Sequence, residues 1–315
     1  MKIKRLIGLA LLHIIYFNGH AQLAMSTVHV DTARYAADSF IAYSMPVKDA
    51  HFHQQQPRIF DPITHLPSNL WQIAKAPFQK KNLGNLAIVA GATALLIWKD
   101  HELMEHIGET ADRANLDPAT KYKPVLRIKD IVLLKAPTNI NSALIQLGDG
   151  GTSLLLAGGL FIYGKTNNDL RAIQAASDVT ETVITMTAAT KTIKWMAGRQ
   201  EPGRATSKGG TWKPFSSLKD FWDNKSNYDA FSSGHVATLT ATVTVLGENF
   251  PEKKWIKPVG YSLVGMMAFA LSNTKVHWVG DYPLAFALGY LSGKVTAGRH
   301  MHKTEIKKHK RRFVL

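Results

Sequence analysis

Apolar positions along this chain gather into blocks of helical length, separated by short polar or glycine-bearing breaks. Pro67-Ser-Asn-Leu70 caps a first short helix near Trp71–Ala76. Leu86–Trp98 is thirteen residues of almost unbroken apolar and small side chains, stopped by Lys99-Asp100-His101-Glu102. Asn139–Leu147 and Ser153–Tyr163 flank Gly148-Asp149-Gly150-Gly151, a turn between two helical patterns. Asp178–Met196 is helical by propensity, and its interior Glu181 and Lys191 argue against a lipid-facing span. Val236–Leu246, Val259–Leu271 and Pro283–Val295 complete the set. No strand-like alternation of any length and no internal repeat is visible. The pattern predicts an all-α fold, a helical bundle.

The same pattern bears on membranes. The uninterrupted apolar runs are about 11–14 residues, short of the roughly 20 that a spanning helix needs. The mean hydropathy of −0.09 matches a soluble protein. Small neutral neighbours lengthen Val259–Leu271 and Pro283–Val295 to marginal spans, so a soluble or peripheral envelope domain is expected ahead of a polytopic one. Met1-Lys-Ile-Lys-Arg5, the apolar run Leu6–Phe17 and Gly19-His20-Ala21 read as a signal peptide with cleavage after Ala21, against the alternative of an uncleaved anchor. Export is therefore expected, to the periplasm or cell envelope. The chain has no cysteine, which excludes a disulfide framework and thiol chemistry.

The organisation that follows is a signal segment (1–21), a polar lead-in that is extended or partly ordered (22–80), a helical domain (81–298) and a basic tail (299–315). The formal charge is +15. Lys303 to Arg312 carries six Lys and Arg against a single Glu305, a solvated end or a contact for anionic lipid headgroups. No aromatic residues interleave with that tail, so nucleic acid is not an expected partner. His51-x-His53 lies in the lead-in without nearby carboxylates and His300-x-His302 falls in the tail, so no metal-ligand cluster is visible and no cofactor is expected. Nothing in the sequence sets the oligomeric state.

Three short blocks carry candidate chemistry. In Asp229-Ala-Phe-Ser-Ser-Gly-His-Val, Ser233, Gly234 and His235 sit side by side just before a helix. A helix entered through Ser and Gly leaves unpaired N–H groups at its positive end, which suits a tetrahedral oxyanion. His277-Trp-Val-Gly-Asp281 places a carboxylate four residues after an imidazole, a common way to hold one tautomer. The third block is Lys194-Trp-Met-Ala-Gly-Arg199-Gln-Glu-Pro202.

The order of these blocks resembles the type 2 phosphatidic acid phosphatase family, whose superfamily includes bacterial acid phosphatases and vanadium haloperoxidases. That family's pattern is roughly K-x-x-x-x-x-x-R-P, P-S-G-H and S-R-x-x-x-x-x-H-x-x-x-D. Lys194 and Pro202 fit the first block, Ser233, Gly234 and His235 the second, His277 and Asp281 the third. The resemblance runs from Leu144 to about Gly298. It departs at two arginines: Glu201 stands in the first block and Leu271 in the third, while Ser232 replaces a proline. Losing two guanidiniums removes bidentate donors to phosphate, and a carboxylate there repels the anion.

The resemblance implies a metal-independent phosphatase acting on a phosphate monoester or lipid (pyro)phosphate through a phosphohistidine. It implies His277 as nucleophile, Asp281 as the group that orients it and His235 as the acid for the leaving alkoxide. Lys194, Ser233 and Gly234 would bind the phosphate. Arg199, Arg204 and Lys275 are the cations in range to replace the missing guanidinium, Arg199 first among them. Lys194 read by itself is also an ordinary end-of-helix lysine, and Lys191 reads as a surface one. Gly203–Tyr228 is a lid or specificity wall by its length, with Trp212 and Trp222 as facing groups or as anchors. Two other functions compete. A non-catalytic envelope protein could keep the fold without turnover, and a haloperoxidase would need a denser cationic cradle than this chain retains.

Overall fold

The structure, a computed structural model, describes residues 45–47, 50–54, 57–128 and 131–305. The expected signal peptide and the end of the basic tail lie outside the described residues. Ten α-helices dominate them: α1 (Asp61–Thr64), α2 (Leu66–Lys75), α3 (Leu83–Arg113), α4 (Ile140–Leu147), α5 (Gly150–Asn167), α6 (Leu170–Ala197), α7 (Leu218–Asp223), α8 (Gly234–Asn249), α9 (Ile256–Asn273) and α10 (Tyr282–His300). The fold is a helical bundle, as the periodicity predicts.

Helices α6, α8 and α10 form its centre, and their boundaries follow from capping chemistry. Asp169 accepts from the backbone N–H of Arg171 and Ala172 to start α6, and Gly198 closes it in the left-handed conformation (φ +59°). A side chain at Gly198 would also strike the Lys213 carbonyl, so both conformation and space demand glycine. Ser233 caps α8. Buried threonines let these helices pack on several faces. Thr182, Thr185, Thr190, Thr242 and Thr244 each bond the carbonyl four residues back, so their hydroxyls enter the core with a partner. Gly289 and Gly293 of α10 lie against α8, where an added Cβ would collide with the Ala237 carbonyl or Thr244.

Three expectations need correction. First, strands are present. Tyr122–Ile128 (β3) and Ile131–Pro137 (β4) form an antiparallel hairpin whose register shifts between Pro124 and Leu126 and again between Leu126 and Arg127. Those shifts break strict alternation, which is why no strand pattern is visible in the sequence. Met45–Val47 (β1), Ala50–Gln54 (β2) and Met301–Glu305 (β5) form a second antiparallel sheet in the order β1-β2-β5. Second, α3 does not stop at Lys99. It continues to Arg113, with Asp100 fully buried and the neighbouring Lys99 and Glu102 ion-paired on the surface. Third, α10 runs to its last residue His300, and both Arg299 and His300 are buried.

The apolar runs are also shorter than the helices that contain them. Residues 80–113 are long and apolar enough to cross a membrane, and α4 with α5 would be so as a pair bent by 64°. Their surfaces carry exposed Leu83, Ile88, Leu95 and Trp98 on α3, and Leu154, Leu155, Phe161 and Ile162 on α5.

Candidate active site

The three sequence blocks meet at one end of the α6–α8–α10 core. Lys194 lies in the last turn of α6, Ser233 and His235 at the start of α8, and His277 and Asp281 in the turn before α10. Main-chain bonds lock the blocks together. Ala230 N–H donates to the Arg199 carbonyl, Ser233 N–H to the Asp281 carbonyl, and the Trp278 indole to the Gln200 carbonyl.

His277 is 2% exposed, and its Nδ1 lies 3.4 Å from Asp281 Oδ2. The same carboxylate oxygen accepts from the Trp278 N–H at 2.9 Å. Burial pushes the imidazole below its usual pKa, with Asp281 opposing that shift, so the ring is held neutral with one nitrogen tied to the carboxylate. His235 faces it, with ring centroids 6.2 Å apart. This second ring is 29% exposed on its side chain, and its Nε2 lies 3.5 Å from Asp149 Oδ1. The hydrogen bond from His235 holds the Asp149 carboxyl below its ordinary range. Gly148 permits this approach, since a Cβ there would lie 2.9 Å from His235 Cβ and nearer still to Met267 Sδ.

Beneath the pair lies the Lys194 amine, which donates to the Asp229 carbonyl at 2.7 Å and pairs with its carboxylate at 3.2 Å. A Cβ built on Gly234 would stand 4.0 Å from that nitrogen, which puts the ammonium under the N-terminus of α8. Burial lowers the Lys194 pKa against the pull of Asp229. Lys191 shares Asp229, at 3.0 and 3.1 Å, and so belongs to the same network rather than to open surface. The two lysines hold the Asp229 carboxyl low although burial acts the other way. Ser233 is buried, with its hydroxyl accepting from Val236 N–H at 3.4 Å. Among the described residues, no protein acceptor meets the N–H groups of Gly234 and His235.

Arg199 is placed differently from the expectation that it binds phosphate. Its guanidinium has no exposure and donates to Asp281 Oδ1 and Asp100 Oδ2, both at 2.7 Å, and to the Gly209 carbonyl at 3.0 Å. It is sandwiched between Trp212 and Trp278, 4.9 and 5.1 Å from the ring centroids. Its hydrogen bonds, with one more from Nε to the Gly209 carbonyl, engage four of its five N–H donors and make it a positioning group for Asp281. Trp212 is thus an anchor of the 203–228 loop, while Trp222 lies half in solvent beside Lys191 and Lys225. Arg204 and Lys275 are exposed.

Asp100 is the residue that sequence reasoning missed. One oxygen holds Arg199 and the other accepts from Gly280 N–H at 2.8 Å, so α3 braces the His277 turn from behind. Its place in a Lys-Asp-His-Glu run disguised it as part of a polar stop. The two departures also resolve. Leu271 is a fully buried core residue. Glu201 is half-buried within electrostatic reach of Lys194, Asp229 and Asp281, and burial together with the two aspartates pushes its carboxyl up, against Ser226 and Lys194.

Two cavities lie away from this chemistry. One of about 230 Å³ is walled by Lys253, Lys254, Lys257 and nearby prolines, and a small apolar one lies between α3 and α10. Neither contains a nucleophile with a base. The gap between the two histidine rings, 6.2 Å between centroids, is the slot, with the partly exposed His235 and Asp149 at its edge.

No curated protein and no solved structure matches this chain. Residues 176–304 match the model of the PAP2 superfamily, a segment that contains all three blocks and every side chain of the slot except Asp149 and Asp100. Over those residues the chain is similar to the PAP2 superfamily, a family of phosphatases and related phosphoesterases.

Proposed function

We propose that the protein hydrolyses a lipid phosphate through a phosphohistidine at His277. The observation that carries this reading is the pair of imidazoles 6.2 Å apart, one backed by Asp281 and one partly open to solvent, near free N–H groups and a buried lysine. A phosphoryl group between the rings meets an in-line nucleophile on one side and an acid on the other. The free His277 nitrogen attacks phosphorus as the bond to the leaving oxygen breaks, and His235 gives its proton to that oxygen. Neutral His235 then takes a proton from water, whose oxygen attacks phosphorus. The P–N bond breaks, releasing phosphate and regenerating His277. Lys194 and the Gly234 and His235 N–H groups stabilise the equatorial oxygens. Asp229 is the counter-ion that a bound phosphate would partly displace from Lys194.

The lipid assignment rests on the elbow between α4 and α5. The bend falls at Gly148-Asp149, the edge of the slot, and the exposed leucines and Phe161 of α5 lead away from it. An acyl or isoprenoid chain lying on that face brings its headgroup to His235. Membrane association through the same face and the exposed side of α3 accompanies this reading. The specific test is phosphate release in chelator by detergent-solubilised protein, comparing diacylglycerol phosphate, an isoprenoid pyrophosphate, lipid A and a nucleotide. A lipid should be hydrolysed at least about tenfold more efficiently than the nucleotide, a difference of about 1.4 kcal/mol. Equal rates would remove the lipid assignment and leave a general phosphatase.

One observation favours the non-catalytic alternative. Lys194 is already neutralised by Asp229, and Glu201 stands beside both. No release from any of the four substrates or from an aryl phosphate would decide for it.

A further inference from the structure

The other end of the α6–α8–α10 core holds a second buried set of titratable groups that the proposed reaction does not use. Asp61 opens α1, His65 joins α1 to α2, Asp178 and Glu181 lie on α6, and His300 ends α10. Glu181 and Lys194 are thirteen residues apart on one helix, which puts this cluster about 20 Å from the slot. Asp61, His65 and His300 each offer one ligand atom, all within 4.8 Å of one another.

Two features point to a ligand. The Nδ1 of His65 is 3.0 Å from Glu181 Oε2, while its Nε2 turns to Asp61 Oδ1 at 3.8 Å. A carboxylate on one ring nitrogen, with the other facing further donors, is how proteins commonly orient a metal-binding imidazole. The second feature is His300, which is 2% exposed and has no hydrogen-bond partner on either ring nitrogen. Its Nε2 lies 3.8 Å from Glu181 Oε2 and 3.9 Å from Asp178 Oδ1, too far for hydrogen bonds. A buried imidazole in that state is costly unless something absent from the protein itself completes it.

We infer that Asp61, His65 and His300 bind a divalent cation of the zinc type, with Glu181 as the orienting carboxylate. Two imidazoles and a carboxylate are a zinc donor set and leave a fourth position for water. Ligand atoms around tetrahedral zinc lie about 3.3 Å apart, given bonds of about 2.0–2.1 Å. The donors here must close by an ångström or so, within reach of side-chain rotation at Asp61 and His300. Charge fits as well. The cluster holds the carboxylates Asp61, Asp178 and Glu181, and Arg299 lies 3.9 Å from Glu181 and also donates to Ser68 and Asn69. Asn69 and Asn249 donate to Glu181 and Asp178 respectively. With neutral histidines, the acidic groups outnumber that arginine by the charge of one divalent ion. The site clamps the α1–α2 segment onto the ends of α6 and α10 and is independent of the phosphatase reading.

The test uses the full chain, stripped with chelator and titrated with zinc chloride, then with cobalt chloride as a spectroscopic probe. One metal should bind per chain, cobalt should give visible absorption of a low-coordinate nitrogen and oxygen site, and zinc should raise Tm. His300→Gln and Asp61→Asn should each weaken binding at least about 100-fold, and Glu181→Gln about 10- to 100-fold. Asp61 opens α1, outside the three central helices, so its variant reports even where His300→Gln fails to fold. His277→Ala should leave metal affinity unchanged. Substoichiometric binding by the wild type would overturn the inference. So would unchanged affinity in Asp61→Asn, or binding that is lost with His277 instead, which would place the metal in the phosphate slot.

Discussion

The two ends of the central three helices make a useful contrast. Both bury histidines, carboxylates and a basic side chain that no hydrophobic core tolerates cheaply. At the phosphate end the charges are layered. Asp100, Arg199 and Asp281 form a closed ionic stack, and beside it His277 and the N–H groups of α8 keep capacity to spare, facing a half-buried His235. At the far end there is no such layering, and His300 is shut in without a hydrogen bond. Spare capacity that opens to solvent suits a substrate that comes and goes. Spare capacity that is sealed suits an ion that stays.

The largest expected effect is at His277. His277→Ala should lower turnover on the order of 1,000-fold or more with the helical circular dichroism intact, because the nucleophile itself is lost. Wild type quenched during turnover should carry an acid-labile phosphoryl group. Near wild-type turnover in the variant would move the chemistry away from this end altogether.

Next is the ionic stack. Arg199→Met leaves Asp100 and Asp281 buried without their cation, and breaking such pairs costs about 3–5 kcal/mol. Denaturant unfolding should show that loss. A variant as stable as wild type would mean that the two ends are built alike, with tolerant rather than interlocked charges.

Glu201 gives a smaller effect of opposite sign. Placing a guanidinium beside Lys194 should strengthen phosphate binding, so Glu201→Arg is expected to raise kcat/KM at least about tenfold, or roughly 1.4 kcal/mol. The rival possibility, that Arg199 or Lys275 already substitutes for the lost arginine, predicts a fall. It is not favoured by an Arg199 with four of its five donors engaged and an exposed Lys275.

The smallest effect is a shift in pH dependence. His277 attacks as the neutral ring, and burial depresses its pKa, so the acid limb of kcat/KM should fall below pH 6.5. Asp281 is the partner that favours the charged ring. Asp281→Asn should therefore move that limb further down while cutting turnover about 100-fold. A limb that moves up would show that Asp281 does not set the ionisation of His277.

Much of this molecule was legible along the chain. Helical periodicity determined a bundle because each helix must bury a stripe that recurs every three to four residues, and those repeats are local. The three blocks were legible for a similar reason. Lys194 to Pro202, Ser233 to His235 and His277 to Asp281 each carry their spacing within one turn or helix end, so the family resemblance that nominated the histidine pair could be read along the chain. What lies between blocks was not legible. That Arg199 turns down onto Asp100 and Asp281 instead of up to a phosphate depends on where α3 crosses behind the His277 turn, a packing choice with no signature in residues 99–102. The β3–β4 hairpin escaped because register shifts erase its alternation. His300 looked like part of a charged tail until α10 was seen to carry it inward. Asp61, His65, Glu181 and His300 are spread over 240 positions, and only the packing of α1, α6 and α10 brings them within reach of a single ion. Local periodicity determined the helices, and a family resemblance carried by three short blocks nominated the catalytic candidates. Long-range packing decided which charges face each other, since electrostatic contact depends on distance in space rather than along the chain.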